Sequence, residues 1–176
     1  MRLLLLLFLG IPLAAGAQPA ETISVYVGGG HLSSTYRSST SKGLTASKLD
    51  PGHHRCLVLN MGVQWKMGQN WRVGPMASYD HYGTQFRTLE FDVWNFLIRV
   101  DRIWKRSDRC SFYSGFAAGV SNWRFEENNK QKERRLQPAT QFYLAGANLH
   151  LKGISFEGHL GWGVSGLLGL AARFPL

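Results

Sequence analysis

The sequence predicts an all-β protein: an eight-stranded antiparallel up-and-down barrel that crosses a membrane with its strands. Three observations predict it. Apolar and polar residues alternate with period two in about eight separate segments. Beyond the N-terminal leader no apolar run reaches the roughly 18 residues of a helical span. The segments are joined by alternately long and short connections, which gives a barrel a loop side and a turn side. Composition agrees. The 176 residues are one domain's worth of chain. Charged residues make up 18%, below the roughly 25% of ordinary soluble domains. At 44% hydrophobic and 12% aromatic the chain is too apolar to be disordered. Two cysteines exclude a disulfide-dense scaffold and a four-cysteine zinc site.

Residues 1–17 read as a signal peptide. Arg2 precedes an apolar run from Leu3 to Leu9, a break at Gly10 and Pro12, and the small-residue site Ala15-Gly16-Ala17. Cleavage there makes 18–176 the barrel domain and removes Arg2, lowering the net charge of +9 by one.

The segments follow in order. Ile23, Val25 and Val27 alternate with Thr22, Ser24 and Tyr26. Leu57, Leu59, Met61, Val63 and Trp65 alternate with Val58, Asn60, Gly62 and Gln64. Trp71, Val73, Pro75, Ala77 and Tyr79 alternate with Arg72, Gly74, Met76 and Ser78. Trp94, Phe96, Ile98 and Val100 alternate with Asn95, Leu97, Arg99 and Asp101, and Phe91-Asp92-Val93 is out of phase with them, which suggests a bulge. Phe112, Phe116, Ala118 and Val120 alternate with Tyr113, Gly115, Ala117 and Gly119. Tyr143, Ala145, Ala147, Leu149 and Leu151 face away from Gly146, Asn148 and His150. Ile154, Phe156, Leu160, Trp162 and Val164 face away from Ser155, Glu157, His159 and Gly161. Leu168, Leu170, Ala172 and Phe174 face away from Gly169, Ala171 and Arg173.

One face is therefore greasy, the other glycine-rich, polar and charged. Trp65 and Trp71 flank one short turn and Trp104 precedes the next, the arrangement of an aromatic girdle at a membrane interface. That turns the apolar face to lipid. Long connections are expected at Gly28–Arg55, Asp80–Thr88 and Glu126–Pro138, and short ones at Met67–Asn70, Lys105–Arg109 and Lys152-Gly153. Val164–Gly166 is a tight connection on the loop side. A two-residue turn at Lys152-Gly153 places His150 opposite Ser155 and Asn148 opposite Glu157. A three-residue loop at Val164-Ser165-Gly166 places Glu157 opposite Arg173. Asn148, His150, Ser155, Glu157, His159 and Arg173 are thus expected as a polar layer inside the barrel, with the Glu–Arg pair offsetting desolvation.

With its leader, its eight alternating segments and the terminal run from Gly161 to Phe174, the chain resembles the small outer-membrane β-barrels of the OmpA/OmpX type, and the barrel domains common in Bacteroidetes-like bacteria. The resemblance covers the mature chain as a pattern. It implies an outer-membrane location, contact with outer-membrane lipid and lipopolysaccharide, and handling by the barrel-assembly machinery. A final strand ending in an aromatic serves that family as an assembly signal; here Pro175 and Leu176 follow Phe174.

Candidate chemistry is sparse. Ser155, Glu157 and His159 share a strand face as hydroxyl, carboxylate and imidazole, and Ser78, Asp80 and His81 form a second group near the loop rim. His53 and His54 are adjacent, so on a strand they point to opposite faces, and nothing nearby completes a metal site. Lys130, Lys132, Arg134 and Arg135 make a basic segment suited to lipopolysaccharide phosphates, and Arg37, Lys42, Lys48 and Arg55 add charge to the first long loop. Cys56 is expected at the loop end and Cys110 at the turn end, about 25 Å apart, so both thiols are expected free. The expectation is a non-enzymatic membrane-structural or surface-interaction barrel without catalytic residues, cofactor, metal or open pore, and without nucleic-acid partners, in which any surface ligand meets the long loops. Two alternatives stand beside it: a lipid A-modifying barrel enzyme, and a secreted soluble barrel for a lipophilic ligand.

Overall fold

The alternation resolves into eight strands. They are β1 Ile23–His31, β2 Leu57–Met67, β3 Trp71–Gly83, β4 Leu89–Arg106, β5 Cys110–Glu127, β6 Lys130–Leu151, β7 Ile154–Gly163 and β8 Leu168–Pro175. The computed structural model describes residues 23–31, 57–83, 89–107, 109–127 and 130–176. The leader, His53, His54, Cys56 and the basic residues of the first long loop lie outside that set. Each strand pairs antiparallel with its sequence neighbours, and β8 returns to pair with β1, closing the barrel. Closure leaves no unpaired sheet edge where all eight strands run side by side.

Polarity follows the predicted faces. Leu57, Leu59, Phe96, Phe156 and Leu170 point outward and are exposed, whereas Arg72, Arg99, Asp101, Glu157 and Arg173 are buried inside. A soluble barrel needs the reverse arrangement, with an apolar interior and a polar wall. The outer apolar face has aromatic ends. On the turn side Arg102 lies over the rings of Trp104 (4.3 Å) and Trp71 (5.7 Å). On the loop side Tyr79 packs on Trp94, ring centroids 4.7 Å apart. From Trp94 to Trp104 along β4 is about 33 Å of strand. A tilt near 40° reduces that to about 25 Å of height, the thickness of the apolar band of an outer-membrane barrel.

Four sequence expectations need correction. First, Phe91–Val93 is not a bulge: pairing with β5 runs unbroken from Leu89 to Ile103, and the irregularity in β4 lies between Ile103 and Lys105. The pattern changes because polarity inverts above the aromatic rim. There Val93 and Trp123 are buried inside, and Asp92 is on the outside. Second, Tyr143 points inward and is buried; a bulge between Tyr143 and Ala145 leaves both Leu144 and Ala145 outside and shifts the phase. Third, Asp80–Thr88 and Glu126–Pro138 are not all loop. β3 runs on to Gly83, β5 to Glu127, and β6 starts at Lys130, so two hairpins project past the rim. Likewise Gly28–His31 belongs to β1.

The fourth concerns the last hairpin. β6 and β7 pair as expected, with His150 opposite Ser155 and Asn148 opposite Glu157. The next register is displaced by two: Ser155 faces Arg173, and Glu157 faces Ala171. The β7–β8 connection is wider than a three-residue loop because it folds inward. Gly163 and Gly166 have φ of 145° and 100°, which only glycine adopts readily. Val164 and Ser165 are buried rather than exposed. Gln141 receives a bond from the Ser165 amide at 2.8 Å and donates to the Gly166 carbonyl at 3.2 Å, while Asn60 donates to the Ser165 carbonyl at 3.2 Å. The connection stoppers the loop end of the lumen.

Candidate functional site

A narrow eight-stranded lumen has room for large side chains only where the wall opposite is small. The pairing meets that need. Tyr26 lies across from Gly62, Asp101 from Gly115, Tyr113 from Gly146, and His159 from Gly169. A Cβ on Gly62 would sit 2.6 Å from the Tyr26 hydroxyl, and one on Gly146 would sit 2.1 Å from Tyr113 Cζ. Glycine-rich strands therefore let aromatic and charged side chains reach the axis.

At the centre three guanidiniums meet two carboxylates. Arg99 donates from Nε to Asp101 Oδ1 (2.9 Å) and from Nη2 to Glu157 Oε1 (2.6 Å). Arg173 donates to Glu157 Oε2 and, at 2.8 Å, to Ser24 Oγ. Arg72 lies 3.1 Å from Asp101 Oδ2, to which Gln64 also donates at 3.0 Å. The Tyr113 hydroxyl donates to Glu157 Oε1 at 2.7 Å. Arg99 is sandwiched among rings, with Tyr143 at 4.0 Å, Tyr26 at 5.3 Å and Tyr113 at 5.4 Å. Each carboxylate thus serves two arginines, and aromatic faces take the remaining cationic surface. Above this layer Asn95 donates to Ser78 at 2.9 Å and accepts from Ser121. Ion-paired and hydrogen-bonded side chains thus fill the centre of the lumen.

Of the expected polar layer, Asn148, Glu157 and Arg173 are buried inside the barrel, and His159 packs edge-on against Tyr143, ring centroids 4.9 Å apart. Glu157 and Arg173 belong to the central cluster. His150 bridges Ser155 (3.0 Å) and Ser111 (3.1 Å) nearer the turn side, where Asn148 also donates to Ser111 at 3.2 Å. Arg72, Arg99 and Asp101 complete the cluster from β3 and β4. Their place on the polar face was legible, but their meeting with Glu157 across the lumen was not.

Neither catalytic trio assembles. Glu157 is engaged by Arg99, Arg173 and Tyr113, His159 Nδ1 is 4.0 Å from Glu157 Oε1, and Ser155 bonds His150 instead. Ser78 and Asp80 are buried inside, whereas His81 is on the outside and pairs with Asp92 at 2.9 Å. In neither group does that group's own imidazole bond its serine.

The outside carries a second feature. Above the loop-side aromatics, Tyr79, Asp92, Trp94, Asn122, Arg124 and Arg134 line a cleft of about 300 Å³. Tyr79 and His81 both bond Asp92, at 2.8 and 2.9 Å. Of the basic segment, Arg134 lies opposite Arg124 in this cleft, and Arg135 opposite Trp123. Lys130 and Lys132 pair with Glu127 and Glu126 on the projecting hairpin, so the segment is strand rather than loop. Arg124, which the basic run did not include, completes the cationic pair.

No family model matches the chain, and no curated protein matches it. Among solved structures it is similar to the crystal structure of Ail, the attachment invasion locus protein of Yersinia pestis, with 12% identity, a TM-score of 0.45, and coverage of 88% of this chain and 93% of that one. Ail in complex with the heparin analogue sucrose octasulfate gives 10% identity, a TM-score of 0.46 and the same coverage. The backbone structure of Ail in a phospholipid bilayer nanodisc gives 14% identity, a TM-score of 0.48, and coverage of 89% and 100%.

Proposed function

We propose that this chain is an outer-membrane barrel with a non-enzymatic structural or surface-interaction role, exported by cleavage of the leader at residues 1–17. The observation that carries the reading is the polarity of the wall. A band of exposed Leu, Ile, Val and Phe about 25 Å tall lies between two aromatic rims, around a salt-bridged interior. In water that surface is an aggregation liability; in a bilayer it is the wall such a barrel needs. The filled lumen argues for no open pore. In this reading the barrel-assembly machinery handles the chain during biogenesis.

The loop-side cleft is the lipopolysaccharide contact. Arg124 and Arg134 stand just above Trp94 and Tyr79, at the height where headgroup phosphates meet the acyl boundary, and guanidinium pairs phosphate bidentately. Lys130 and Lys132 precede Arg134 on the projecting part of β6, whereas Arg135 takes the opposite face, beside Trp123.

Cell fractionation with a heat-modifiability gel tests the location. The expected protein sediments with outer membrane and changes mobility on boiling; recovery in a detergent-free soluble fraction overturns the proposal. Arg124→Gln/Arg134→Gln tests the contact: it is expected to weaken lipopolysaccharide binding by the folded barrel, and unchanged binding removes that assignment.

A further inference from the structure

The turn-side end of the lumen is open where the loop-side end is stoppered. Below the central cluster lies a cavity of about 640 Å³. That volume is within the roughly 300–1,000 Å³ of small-molecule sites. Its cationic lining is Lys66, Arg72, Arg106 and Arg173, and Ser111 and His150 add polar groups. The described lining contains no carboxylate side chain. Asp101 and Glu157 lie in the layer behind, and they are shared among three arginines. The central cluster is therefore one positive charge in excess before Lys66 and Arg106 are added.

Two of the lining groups are incompletely satisfied. Arg72 and Arg173 are 8% and 6% exposed, and the Nε of each has no acceptor among the described residues. Buried donors without acceptors are rare, and on a charged group they are costly. A cavity with fixed guanidiniums, a lysine and hydroxyl donors has the chemistry of a site for a tetrahedral oxyanion.

We propose that the turn-side mouth of the lumen binds a phosphate or phosphomonoester, held by Arg72 and Arg173 at its floor and by Lys66 and Arg106 at its rim. The ligand is a dianionic phosphoryl group, and it has two sources, free phosphate or the headgroup of a lipid or phosphorylated sugar. The site is separate from the loop-side cleft and rests only on the fold.

The test is calorimetric titration of the full folded barrel in a non-ionic detergent, with inorganic phosphate, with glycerol 3-phosphate, and with glycerol as the uncharged control. The comparison variant is Lys66→Gln/Arg106→Gln, whose residues lie outside the central ion-pair cluster and whose folding is checked by unboiled gel mobility. Saturable binding of about one equivalent of either phosphate, with none of glycerol, is expected, and the variant is expected to bind about tenfold more weakly or less. Binding of both phosphates points to the free anion, and binding of glycerol 3-phosphate alone to an esterified headgroup; each supports the site. No saturable heat with either phosphate, or equal affinity in the folded variant, overturns it.

Discussion

Replacing Glu157 by glutamine keeps the side chain's shape and removes one charge from the centre of the barrel. Glu157 accepts bonds from Arg99, Arg173 and Tyr113, and it is 1% exposed. Glu157→Gln leaves three guanidiniums facing the single carboxylate of Asp101, and it turns an amide donor toward arginine donors. Each charge-assisted bond is worth about 1.5–3 kcal/mol. Glutamine's oxygen retains part of that, so the expected loss is about 3–5 kcal/mol, the usual cost of removing one partner of a buried pair. Reversible urea unfolding in phospholipid vesicles, followed by tryptophan fluorescence, measures it. Lys152→Gln in the exposed β6–β7 turn serves as reference, expected within about 0.5 kcal/mol of the parent. Glu157→Gln/Arg173→Gln should be less destabilised than the two single losses combined, by about 0.5–3 kcal/mol. If Glu157→Gln unfolds together with Lys152→Gln, the lumen is hydrated rather than packed, and the reasoning fails.

The same assay checks the wall and its fillings. Ile98, on β4 between Trp94 and Trp104, faces outward near the middle of the apolar band; Ile98→Arg should cost about 2–4 kcal/mol in a bilayer, and a change under about 0.5 kcal/mol would put that face in water. Gly146→Ala places a methyl group 2.1 Å from Tyr113 Cζ and should cost about 1–3 kcal/mol; adding Tyr113→Ser should recover part of it, whereas strict additivity would mean the two do not meet. For the thiols, Leu57 opposite His31 marks the loop end of β2, while Cys110 opposite Leu149 is a free thiol at the turn end. Alkylation of the unreduced folded protein should therefore add two adducts by mass, at Cys56 and Cys110, and a native bridge would contradict the strand order.

Period two along the chain decided most of the architecture. A strand has only two faces, so alternation states which residues share one; eight alternations joined by alternately long and short connections leave few courses other than an up-and-down barrel. Ser24, Tyr26, Arg99, Glu157 and Arg173 were legible as one face in this way. The tryptophans at Trp71 and Trp104 then gave that face its direction. What alternation could not supply was anything requiring a third dimension. The bulge at Tyr143 exposes two successive residues, which local sequence does not announce, and so that ring's inward position was hidden. The register of β7 on β8 depended on the loop folding into the lumen, where Gln141 and Asn60, from strands distant in sequence, hold it. The inversion at Val93 depended on how far β4 projects above the rim, and the basic segment at Lys130 proved to be strand for the same reason. Arg72, Arg99 and Arg173 meet Asp101 and Glu157 only because the sheet closes. Charge balance across a lumen is a property of the circle, and no single strand carries it.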